Sequence, residues 1–119
     1  MPNVFFVPVT GDASLYFITA KNDQKQTEQL RALVEGFIEE APVMQSFLDG
    51  VVVPEGFRAY FLCNEEGEVK NLPTNEHVPV FLGNLVLAFI HEVSGQYCDI
   101  EEDAGKQILH NAMNVWNGN

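Results

Sequence analysis

Leu30, Leu33, Val34, Phe37 and Ile38 fall at i, i+3, i+4, i+7 and i+8, one apolar stripe of an amphipathic helix. The pattern predicts a helix over residues 24–40, capped by Asn22 or Asp23, with Asp23 and Gln26 at capping-box spacing. Glu28, Glu35 and Glu39 share its opposite face at 100° per residue. Gly36 flanks the stripe and costs about 1 kcal/mol relative to Ala, so a close helix–strand contact is expected there. Pro42 is expected to stop the helix. Ahead of it, NVFFVPV (3–9) and SLYFITA (14–20) are rich in β-formers around the turn Thr10-Gly11-Asp12, which predicts a hairpin.

Beyond Pro42 a turn of helix is expected within 43–48, and an extended piece at Val51–Val53. GFRAYFLC (56–63) is apolar on both faces, the mark of a central strand. Asn64-Glu65-Glu66-Gly67 reads as an exposed turn, with Glu68 to Lys70 pairing back as a short return. NLVLAFIHEV (84–93) is the second buried strand. A last helix over 100–116, capped at Asp99 with Glu102, is expected to bury Ile108, Leu109, Ala112, Met113 and Trp116, with Gly105 on the same face. The order β-β-α-β-β-(short α)-β-α predicts an α+β fold. It is a single domain over 1–119, two-layered, with a mixed or antiparallel sheet and both main helices on one face. The other sheet face is apolar too, with Tyr16 and Tyr60, and calls for the N-terminal hairpin or a second copy to cover it. A homodimer is the expectation this excess raises.

Charge changes the picture. Seventeen acids against six bases give a net −11 in 119 residues, so nucleic acid and anionic membranes repel the chain. The acids cluster. Glu35, Glu39, Glu40, Asp49 and Glu55 follow Arg31 without a base, and Glu92, Asp99, Glu101, Glu102 and Asp103 do so again. No apolar run reaches the roughly 20 residues a bilayer needs, and MPNVFFVPVT lacks the features of a signal peptide. With Cys63 and Cys98 too few for a disulfide framework, a cytoplasmic protein with free thiols is expected.

Candidate chemistry is sparse. His77, His91 and His110 share no metal-ligand spacing, and no Cys-x-x-Cys is present. Cys63 lies within an apolar strand, where thiols are inert, and His91 reads as a strand-end residue. Adjacent Glu65 and Glu66 on a solvated tip have nothing to split their pKa values, as acid–base catalysis requires. Asp99 to Asp103 lacks a calcium-loop pattern and reads as a negative first turn favoured by the helix dipole. No enzyme, cofactor or metal is expected.

Three segments, LRALVEGFIEE (30–40), LCNEEGEVKNLPTNE (62–76) and FLGNLVLAF (81–89), occur in that order and spacing. Together they resemble the uncharacterised domain-of-unknown-function family 3846, found in phages, large viruses and mobile elements. That family shows L-x-x-L-V-G-G-Y-I-E, then N-E-E-G-x-x-x-x-L-P-x-N, then a Gly-led apolar strand. Here Leu30, Val34, Gly36, Ile38, Glu39, Asn64, Glu65, Gly67, Leu72, Pro73, Asn75 and Gly83 fit, while Glu35 stands where the family often has Gly and Thr74 where an apolar residue is usual. The resemblance spans about residues 1–92. It implies a viral or phage-like source and an accessory role in the host cytoplasm, and brings no activity.

The sequence therefore points to a non-enzymatic protein whose acidic faces bind a host or competing macromolecule with a basic surface, such as a nucleic-acid-binding protein. The candidate contacts are Glu28, Glu35 and Glu39 with Glu101, Glu102 and Asp103. The alternative is capture of a small, nucleotide-like molecule through Arg31, Arg58, Lys70 and Asn75.

Overall fold

A computed structural model describes residues 2–118. Its centre is β5 (Leu85–His91), buried along all but its last residue. The chain starts with β1 (Asn3–Val7) and β2 (Ser14–Phe17), the expected hairpin, and continues through α1 (Asp23–Val34) to β3 (Ile38–Pro42) and β4 (Phe57–Asn64). After β5 come β6 (Tyr97–Cys98) and α2 (Glu102–Trp116). The sheet runs β2-β1-β5-β4-β3, and β6 pairs with β5 opposite Phe89 and Ile90, beyond the reach of β1. Every pairing is antiparallel. The fold is α+β.

The helices do not share a face. Leu85, Leu87 and Phe89 join Phe5, Val7 and Phe61 in one cluster with Ile108, Leu109 and Ala112 of α2. The alternate residues Val86, Ala88 and Ile90 join Val4 and Leu62 in a second cluster, with Leu30 and Val34 of α1. Successive side chains of a strand point to opposite faces, so α1 covers one face and α2 the other. The two-layer expectation is corrected to a helix on each side. Its cause is visible in β4 and β5, whose apolar residues on both faces need two covers. Tyr16 and Tyr60 pack against the α1 cluster, so the apolar face that raised the expectation of a homodimer is covered within the chain.

Helix α1 stops at Val34, six residues short of the expected end. Asn22 caps its start, its Oδ1 accepting from the Lys25 N–H at 2.8 Å. Glu35 closes it in the left-handed region, φ 64° and ψ 34°, where Gly or Asn is usual. Two asparagines serve the carbonyls orphaned at this end. Asn84 Nδ2 donates to the Leu33 carbonyl at 3.2 Å, and Asn64 Nδ2 to those of Val34 and Glu35 at 3.1 Å each. Gly36 lies outside the helix, yet the close approach expected of it exists. A Cβ there would stand 2.6 Å from Asn64 Nδ2. Ile38, assigned to the helix stripe, reaches the same core from β3. Pro42 ends that strand and not the helix.

Three further expectations fail. Glu68 to Lys70 form turns with no return strand, and Val69 is exposed. Asp99 does not cap α2. Its Oδ1 accepts from the Asn3 N–H at 3.0 Å while Asn3 Nδ2 donates to the Ile100 carbonyl, so it pins β1 to the approach of α2. Glu101 is the N-cap residue and makes no side-chain capping bond. Trp116 and Val115 project from α2 into solvent, because the stripe Gly105, Ile108, Leu109, Ala112 runs one turn past the surface that buries it. Met113 is half-buried. Where the notch at Gly105 lies, α2 sits against Phe5, closer than any side chain permits.

Candidate protein-docking surfaces

The six acids proposed for a partner separate into two places. Glu28 is exposed on α1, Glu35 is the left-handed cap, and Glu39 pairs with Cys63 in β3. Directly paired residues share a sheet face, and Cys63 belongs to the α2-side cluster. Glu39 therefore points away from Glu28, and the three make no common face. The expected stripe of carboxylates required a helix through residue 39, which the cap at Glu35 prevents.

Glu101, Glu102 and Asp103 do sit together at the start of α2. Glu102 binds Lys106 at 2.9 Å, and this contact raises the lysine pKa. Glu101 and Asp103, with Asp99, rim an open groove of about 430 Å³ whose apolar walls include Val51, Val52, Pro54 and Phe89. No Lys or Arg lines it.

The residues proposed for a small molecule do not converge. Arg31 lies over the Phe37 ring, 5.0 Å from its centroid. Lys70 is 3.8 Å from Glu66 across one turn. Arg58 is exposed on β4 and lines a separate open groove with Glu92. Asn75 is fully buried. Its Nδ2 donates to the carbonyls of Val7, Pro8 and Gly83 at 3.0–3.2 Å, and its Oδ1 accepts from the N–H groups of His77 and Val78. No hydrogen-bonding capacity is left for a ligand, so the ligand role of Asn75 is corrected to a structural one.

Asn64, in the same N-E-E-G stretch as Glu65 and Glu66, is also structural. Its Oδ1 accepts from the Glu66 N–H at 2.8 Å while its Nδ2 caps α1. Sequence reasoning found the turn and missed the cap, because the helix end lies 30 residues away. It also missed the exposed Trp116, whose apolar neighbours come from segments far apart in the chain.

The setting of both thiols favours the protonated form, the weaker nucleophile. Burial, then the charge of Glu39, pushes Cys63 up to about 11. Burial and Asp99 raise Cys98. His91 Nδ1 accepts from the N–H groups of Val93 and Ser94, a strand-end role. His77 Nε2 is 2.6 Å from the Gly11 carbonyl, and His110 contacts Asn114. Among the described residues, no three His, Cys, Asp or Glu side chains are placed to share a metal ion, and no helix is long and apolar enough to cross a membrane.

Comparison of the chain with protein-family models, with curated proteins and with solved structures returned no match.

Proposed function

We propose that this is a non-enzymatic binding protein that engages a basic protein partner through the acidic groove at the start of α2. One observation carries the reading: Asp99, Glu101 and Asp103 rim a groove with apolar walls and no cation of its own. A lysine or arginine side chain has the matching build, an aliphatic stem below a charged head. The net charge of −11 adds long-range attraction for such a partner and makes the association fast and salt-sensitive. A basic nucleic-acid-binding surface is the target class we favour, which makes the protein an inhibitor or adaptor in the host cytoplasm.

The family resemblance fits this role and draws support from one position. Glu35 occupies the left-handed cap, and it stands where family 3846 often has Gly, the residue that conformation favours.

The test is displacement of a labelled DNA duplex from a basic histone-type protein, followed by fluorescence anisotropy. The acidic protein should release the duplex at low salt, and the triple variant Glu101→Lys, Glu102→Lys, Asp103→Lys should lose the effect. Glu28→Lys with Glu35→Lys, on the opposite side of the sheet, should retain most of it. Equal displacement by the α2 variant and the parent would sink the groove as the site.

A further inference from the structure

The far end of α2 carries a second surface. The helix has 15 residues, so its ends lie about 20 Å apart. There Trp116 is 57% exposed, Met44 56% and Val80 62%. With Val115 they surround a small groove of about 230 Å³ floored by Phe47 and Ala112. Val80 also lines the next groove, where Val69 is 84% exposed and Glu39, Glu65 and Glu68 form the rim. No Lys or Arg lines either groove. The result is a continuous apolar strip of Trp, Met and Val with carboxylates at one end. Exposed aromatic and methionine side chains gathered in this way mark binding surfaces.

We propose that this strip is the docking site for a basic amphipathic helix. The inference rests on the acidic-binder reading and adds the second, apolar half of the partner. Ala112, Val115 and Trp116 stand at i, i+3 and i+4, so one wall is itself a helix face. An apolar helix laid along it follows the usual geometry of a helix in a groove. Glu39, Glu65 and Glu68 select the flanks of that helix as Lys or Arg. The net charge of −11 disfavours a second copy of this chain, since two like-charged molecules repel.

Trp116 is the sole tryptophan, so its emission reports directly on the groove. The probe is a synthetic amphipathic helix with Leu along one face and Lys on its flanks. Its controls are the same peptide with Glu in place of Lys and a scrambled Lys peptide. The Lys helix should shift Trp116 emission to the blue in a saturable way, and the two controls should not. The doubly substituted Met44→Asp, Val80→Asp protein, altered at exposed positions, should keep its melting temperature and bind the labelled peptide about ten-fold more weakly. The Glu101, Glu102, Asp103 charge reversal should leave the blue shift in place, which separates failure of this site from failure of the groove at the start of α2. The proposal is overturned by an unshifted emission with the Lys helix or by equal shifts with Lys and Glu helices. A blue shift of the protein alone that tracks a dimer mass in sedimentation also overturns it, since a second copy then holds the strip.

Discussion

Asn75 shows how much of this structure hangs on single polar side chains. It ties the end of β1 to the segment that leads into β5, through carbonyls up to 68 residues away in sequence. Truncation leaves those carbonyls and the His77 and Val78 amides without their partner in a buried place. Asn75→Ala should therefore cost about 2–4 kcal/mol, read as a fall in the urea midpoint at unchanged slope. Asn75→Asp keeps the acceptor and loses every donor, so it should be no better tolerated. A wild-type midpoint for either variant would refute the role. The sequence motif L-P-T-N marked this residue as a loop builder, since Asn and Pro make loops through local backbone bonds. Its donations to Val7, Pro8 and Gly83 were illegible, because nothing local to residue 75 names those partners. Asn64 repeats the lesson, with its turn readable and its capping of α1 not.

At the scale of elements, the existence of both helices and of the central strands was legible, and the ends were not. The stripe at Leu30, Leu33 and Val34 continues by chance through Phe37 and Ile38, while Glu35 offers no glycine stop signal. A strand residue can thus serve the same core a helix residue was expected to serve. The approach of α2 to β1 sets a sharper constraint. A Cβ at Gly105 would lie 2.6 Å from ring carbons of Phe5, both residues being core positions. Alanine gains about 1 kcal/mol of helix propensity over glycine, yet overpacking costs about 1–3 kcal/mol. Gly105→Ala should lower the melting temperature, and Phe5→Leu in that background should recover part of the loss. A higher melting temperature for Gly105→Ala alone would show that α2 slides freely on the sheet.

The whole molecule was read correctly as α+β, and wrongly as two layers. Its stability should depend on pH at the alkaline end. Cys63 moves from its ordinary value of 9.0 to about 11, chiefly by burial. Tyr97 moves from 10.0 to about 12 by burial, with Glu40 and Asp23 adding to the shift. Both groups hold their protons more tightly folded than unfolded. Their contribution is complete below about pH 9 and is lost as pH climbs through the folded values. The urea midpoint should fall steadily from about pH 9 to 12. Tyr97→Phe should flatten the upper part of that fall, and a parent midpoint that stays level across the range would contradict both assignments.

The strand order has a consequence for how the chain is made. β1 pairs with β2, and β3 pairs with β4, but the two hairpins meet only through β5. A nascent chain halted before residue 85 therefore holds two separate hairpins with open edges, each lacking its neighbour. The sheet closes when β5 emerges from the ribosome and slots between them, and α2 comes later still. Until then the first two-thirds of the polypeptide presents unpaired strand edges and uncovered apolar faces, the state in which growing chains most readily aggregate or recruit chaperones.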